Sequence, residues 1–177
     1  TEDVLPAAIG IELFHNFTLI HDDIMDNAPL RRGQKTVHEK WNRSIAVLSG
    51  DAMLVKAYQY VAKTKQGKLE KVLRIFSETA IKVCEGQQLD MNYEKQNISI
   101  DEYLQMIEMK TAVLLAGSLK IGAVMGNASE TDLENFYGFG KSIGIAFQLQ
   151  DDLLDIYGDE QKTGKQKGGD IIAGKKT

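Results

Sequence analysis

Two aspartate runs of identical spacing stand out in the sequence, Asp22-Asp23-Ile24-Met25-Asp26 and Asp151-Asp152-Leu153-Leu154-Asp155. Each follows an apolar stretch with helical periodicity, so its first and last aspartates, four positions apart, share one helix face. Both runs lie toward the C-terminal end of a helix, where the dipole already disfavours carboxylates. Two like charges about 4 Å apart repel by ~4 kcal/mol at an effective dielectric of 20. A hard divalent cation reverses the sign of that cost, and Mg²⁺ typically takes one or two carboxylates with waters and phosphate oxygens. A solvated acidic helix end is the bland alternative, and it weakens when the same spacing occurs twice. The alternating D-x-D-x-D-G loop of an EF-hand is missing.

Cations that suit a phosphate lie close by. Arg31-Arg32-Gly33 leaves the first acidic helix, giving forked donors beside a glycine that permits close backbone approach. Lys162, Lys165 and Lys167 lie in a glycine-rich stretch after the second run. Simple neutralisation of acids by bases is one account of this proximity; a diphosphate held between Mg²⁺ and cationic side chains is the favoured one. Gly169 to Lys175 has the spacing of a P-loop, but Lys176 occupies the Ser/Thr position and no strand precedes it. Cys84 falls in an amphipathic pattern and is expected in the core.

The elements that must hold these groups are helices. Leu13, Phe17, Ile20 and Ile24 form a stripe in a first helix from about 3 to 26, with Pro6 in its opening turn. The run from Asn27 to Gly33 breaks that helix. Further helices are expected near 44–64, 68–95, 100–126 and 131–157, the fourth opened by a Ser99/Glu102 capping box. The expectation is an all-α bundle of long helices forming one domain over residues 1–177.

Composition sets the outer limits. The 177 residues are 43% hydrophobic and 26% charged, which excludes a disordered chain. With 21 Lys plus Arg against 25 Asp plus Glu, no basic field serves nucleic acid. One cysteine excludes an internal disulfide and suits the cytoplasm. No membrane span is expected from the apolar runs. The sequence opens on Thr1 and stops at Thr177 within a loop-like stretch, so it reads as the middle of a longer protein, truncated at both ends.

The run from His15 to Asp26, followed by Arg31-Arg32-Gly33, resembles the first aspartate-rich motif of the trans-prenyl diphosphate synthases, and Phe147-Gln148 to Asp155 resembles their second. The resemblance spans nearly the whole chain and is closest to the short-chain geranylgeranyl and farnesyl diphosphate synthases. It implies an all-α isoprenoid synthase bundle around a central cavity, usually in a homodimer. It implies that Asp22, Asp23, Asp26, Asp151, Asp152 and Asp155 hold three Mg²⁺ ions, with Mn²⁺ able to substitute. Arg31 would contact the allylic diphosphate (dimethylallyl, geranyl or farnesyl), and Arg32 and His15 the isopentenyl diphosphate. Lys110-Thr111 matches the pair that binds the allylic diphosphate, Gln148 the glutamine near the reacting carbons, and Lys165 and Lys175 the lysines of a flexible loop. Asp22, Asp23, Asp26, Arg31, Lys110, Gln148, Asp151, Asp152 and Lys165 would be the catalytic set.

Chain length would be set beneath the first cluster by Phe17, with Thr18 leaving some room and Phe14 deeper, favouring a twenty-carbon product over a fifteen-carbon one. The family's upstream Gly-Lys-Arg segment and closing C-terminal helices have no counterpart in these 177 residues. A class I terpene cyclase and a non-catalytic regulatory subunit are the competing readings. The paired arginines argue against the first and the six intact aspartates against the second.

Overall fold

A computed structural model of the chain describes residues 2–158. Lys162, Lys165, Lys167, Lys175 and the P-loop-like stretch lie outside the described residues. A 3₁₀ turn, Glu2–Val4, leads into helix α1 (Leu5–Met25), strands β1 (Leu30–Arg31) and β2 (Gln34–Lys35), and helices α2 (Val37–Lys40), α3 (Arg43–Val61), α4 (Gln66–Tyr93) and α5 (Ile100–Ile107). A π-helical turn, Glu108–Ala112, then precedes α6 (Val113–Met125) and α7 (Glu130–Tyr157). The all-α expectation holds, with the five long helical segments where the periodicity puts them.

Local chemistry explains the boundaries. Pro6 sits in the first turn of α1, where its missing N–H has no helical acceptor to lose. Asn42 accepts from the Ile45 amide at the start of α3, and Ser129 from the Asp132 amide at the start of α7. Ser99 and Glu102 exchange both bonds of a capping box at α5. Asn27 (φ 51°) and Asn127 (φ 60°) end α1 and α6 in the left-handed conformation, while Ala28 and Ala128 donate back to Asp23 and Ala123 at 3.0 Å.

The helices fall into two compact units. The first holds the described residues up to Phe76 together with Val124–Gly126. Its core centres on Phe14, Ala57, Val61, Val72 and Phe76, all buried, with Phe76 edge-on to Phe14 at 5.5 Å and to Tyr58 at 5.0 Å. The second holds Ser77–Ala123 and the described residues from Asn127 onward. There Met106, Ile107, Ala112, Val113, Ala116 and Leu133 are buried. Gly140 and Gly144, one turn apart on α7, admit the backbone of Ala116 and Ala112: an added Cβ would come within 2.7 and 2.4 Å of their Cα atoms.

One expectation needs correction. Cys84 is exposed, because the buried stripe of α4 runs through Ala80, Val83 and Gly86 instead. The stretch Glu2–Met25 is long and apolar enough to cross a membrane by length and composition, since its acids gather at the ends and leave Glu12 alone between them. In this structure that helix carries Phe14 and Phe17 into the core of the first unit.

Candidate active site

The first aspartate run closes α1. The Asp26 amide donates to the Asp22 carbonyl at 2.9 Å, which confirms the one-turn relation between these residues. Asp23 is buried, at 4% exposure, which removes the reading of this run as a solvated acidic end. Burial pushes its carboxyl above the usual carboxylate range, and the Arg31 guanidinium opposes that shift. Arg31 Nε donates to Asp23 Oδ1 at 2.8 Å, and Nη2 reaches Asp22 Oδ2 at 3.3 Å.

The hairpin makes this contact. Arg32 (φ 51°) and Gly33 (φ 75°) both take left-handed conformations, the two-residue turn that matches the strand twist, and pair Arg31 with Gln34. Thr36 ties the hairpin base to the loop leaving α1 by donating its hydroxyl to the Ala28 carbonyl at 2.7 Å. Arg31 is thereby folded back over the carboxylates while Arg32 remains exposed. His38 on α2 is buried with neither ring nitrogen hydrogen-bonded, and its field also lowers Asp23. His15 is partly exposed on α1, with Nδ1 3.8 Å from Glu12. Phe17 and Phe14 are buried, their ring centres 5.6 Å apart, and Thr18 bonds back to the His15 carbonyl at 2.7 Å.

The second unit gathers Lys110, Thr111, Gln148 and the second aspartate run. In a straight helix Thr111 would sit about 80° round from Tyr103; the π turn holds one extra residue and returns it to the same face. Gly86 on α4 packs against that turn so closely that a Cβ would lie 2.2 Å from the Lys110 nitrogen. Lys110 Nζ reaches Asp90, itself buried, at 2.5 Å. On the α7 side, Thr111 Oγ1 donates to Gln148 Oε1 at 2.8 Å, and Gln148 Nε2 donates to Asp152 Oδ1 at 2.8 Å. Tyr103 donates its phenolic hydrogen to Asp152 Oδ2. Burial and the adjacent Asp152 push the Tyr103 phenol far up, so it stays protonated as the donor. Asp152 and Asp155 are 6% and 3% exposed, and Asp151 is half-buried.

Three residues here lie outside the motifs of the sequence: Asp90, Gln87 and Tyr103. Asp90 lies one turn beyond Gly86, an isolated glycine inside a long helical pattern, and such a glycine signals close packing. Gln87, beside it, has a buried Nε2 with no hydrogen-bond partner. Tyr103 carried no local signal at all.

The donor set suits a hard cation. Among the described residues no three His, Cys, Asp or Glu side chains form a closed cage. An ion that keeps waters and phosphate oxygens needs only one or two carboxylates, and a guanidinium is already accommodated between Asp22 and Asp23.

The polyprenyl synthetase family model matches residues 1–177. This chain belongs to the polyprenyl synthetase family. It is 49% identical over 177 residues to a short chain isoprenyl diphosphate synthase of Methanocaldococcus jannaschii, covering 99% of this chain and 54% of that protein. A geranylgeranyl diphosphate synthase of Methanosarcina mazei is 45% identical, with 98% and 55% covered. The solved geranylgeranyl pyrophosphate synthetase from Pyrococcus horikoshii Ot3 superposes with a TM-score of 0.94 at 41% identity, with 99% of this chain and 54% of that one covered. The chain thus spans about half the length of the relatives it matches, and the isoprenoid synthase fold of the family is present across that half.

Proposed function

We propose that the protein carrying this chain is a trans-prenyltransferase that condenses isopentenyl diphosphate with an allylic diphosphate to give a short all-trans prenyl diphosphate. The observation that carries this reading is the hydrogen-bonded line from Thr111 through Gln148 to buried Asp152, which joins the Lys110-Thr111 pair to the second aspartate run. Membership of the family and the names of its relatives support the same reaction.

Asp22, Asp23 and Asp26, with Asp151, Asp152 and Asp155, would hold the Mg²⁺ ions, three in this reading, and Mn²⁺ could replace them. Bound there, the ions supply charge neutralisation for the departing diphosphate. Arg31, Lys110 and Thr111 bind its oxygens and stabilise the charge it gains as the allylic C–O bond breaks. Lys165 and Lys175 are assigned to the same anion. His15 and Arg32 hold isopentenyl diphosphate, whose double bond attacks the allylic cation. A proton then leaves to the diphosphate, so no side chain forms a covalent bond. Gln148 lies beside the reacting carbons, and apolar helix faces keep water from quenching the cation.

Phe17 and Phe14 are assigned as the floor beneath the first cluster, with Thr18 giving room above them. A twenty-carbon product is favoured and a fifteen-carbon one is second. A single domain over residues 1–177 within a cytoplasmic homodimer completes the proposal.

The test is incubation of the full-length protein with Mg²⁺, isopentenyl diphosphate and an allylic diphosphate, followed by chromatography. Elongated prenyl diphosphate supports the proposal. A cyclic hydrocarbon points to a terpene cyclase, and no product without a partner protein points to a regulatory subunit; either would overturn it.

A further inference from the structure

The buried carboxylates Asp23, Asp90 and Asp152 are held in different ways. Asp22 and Asp23 share the Arg31 guanidinium, and Asp90 faces the Lys110 ammonium, so each of these has a cation against it. Asp152 is as buried as Asp23 and Asp90, yet among the described residues its bonds come from neutral groups, the Tyr103 hydroxyl and the Gln148 amide. A buried carboxylate without donors carries a desolvation cost of several kcal/mol. Neutral donors offset that cost without cancelling the charge.

Asp152 is therefore fixed at both oxygens by neutral donors, Tyr103 on one and Gln148 on the other. Because a carboxylate only accepts, Gln148 must turn its amide nitrogen to Asp152 and its oxygen to Thr111, which gives the line one direction. Tyr103 sits at the closed end of that line. Its partner lies 49 positions away, so the bond also ties α5 to α7 at the level of the second run.

We propose that Tyr103, a residue outside both aspartate motifs and the Lys-Thr pair, is a positioning residue: its hydroxyl fixes Asp152 and, through it, the Gln148–Thr111 line, and so sets how tightly the second cluster takes a cation-bound diphosphate. This inference rests on the proposed function above and assigns Tyr103 no contact with substrate.

The test is titration calorimetry of the full-length protein with inorganic pyrophosphate in the presence and absence of Mg²⁺, for the native protein, Tyr103→Phe, Asp152→Asn and the double variant, alongside thermal melting. Tyr103→Phe keeps the ring and loses only the hydroxyl, a bond to a charged group whose removal weakens binding about tenfold or more. The expected result is Mg²⁺-dependent pyrophosphate binding in the native protein, at least tenfold weaker in Tyr103→Phe. The double variant should be no weaker than Asp152→Asn, since Tyr103 acts through Asp152. A lowered melting temperature with unchanged pyrophosphate affinity would make Tyr103 merely structural and overturn the inference, as would additive losses in the double variant. If the native protein shows no Mg²⁺-dependent binding, the proposed function falls and takes this inference with it. Should Tyr103→Phe fail to fold, unchanged affinity in Asp152→Asn overturns the inference equally, because it removes the acceptor at the other end.

Discussion

Gly86→Ala inserts one methyl group where α4 meets the π-helical turn. The added Cβ would lie 2.2 Å from the Lys110 nitrogen, 2.5 Å from the Met109 carbonyl carbon and 2.7 Å from the Lys110 Cα. All three are backbone atoms, so no rotamer change relieves the clash. Restoring ordinary contact requires the turn to move by about 1 Å, and overpacking of this kind costs roughly 1–3 kcal/mol. The displacement strikes the pair that holds Lys110 at 2.5 Å from Asp90 and the bond that holds Thr111 at 2.8 Å from Gln148. A misplacement of about 1 Å at reacting groups can lower turnover ~100-fold. Gly122→Ala is the matched control: it lies in α6 with nothing within 4 Å of an added Cβ. There, alanine should stabilise by up to about 1 kcal/mol. Thermal melts with steady-state prenyl-transfer kinetics on both variants check the pair. The reasoning is refuted if Gly86→Ala melts at the native temperature and turns over within threefold of the native rate.

Arg32→Ala should raise KM for isopentenyl diphosphate and Arg31→Ala that for the allylic substrate, each loss corresponding to roughly 1.5–3 kcal/mol; identical defects for both substrates would show that the two arginines do not divide the work. Phe17→Ala should lengthen the product, read by chromatography after dephosphorylation, and destabilise by about 3–5 kcal/mol because the ring is buried against Phe14. Cys84 is exposed, but partial desolvation of its sulfur by the surrounding helix and the neighbouring Glu85 raise the thiol above its usual value, so the rate of iodoacetamide labelling should keep climbing beyond pH 9 rather than level off there.

The long helices were readable because their apolar spacing runs over several turns, and Ser99 and Glu102 announced the start of α5 from four adjacent letters. The aspartate runs were readable because the positions that share a face are four apart in the chain. The hairpin was not: its strands have two residues each, too few for an alternating pattern, and nothing in Arg32 marks a left-handed backbone. The π turn was hidden inside a continuous helical pattern, since a single inserted residue leaves the surrounding periodicity nearly intact. Tyr103 and Asp90 were missed because their importance lies in partners far off in the chain, Asp152 for one and Lys110 for the other. The sequence marks Arg31 as a phosphate ligand, and folding adds that it also reaches Asp22 and Asp23.

Mg²⁺ held at the aspartates is the centre of the account, and single-turnover condensation by the full-length protein tests it most directly. Native protein, Asp22→Ala and Asp151→Ala would be compared at saturating Mg²⁺ and after chelation. The account predicts prenyl elongation by the native protein that chelation abolishes, and a loss of several orders of magnitude in each variant with helical circular dichroism unchanged. Near-normal condensation by either variant at saturating Mg²⁺ would contradict it.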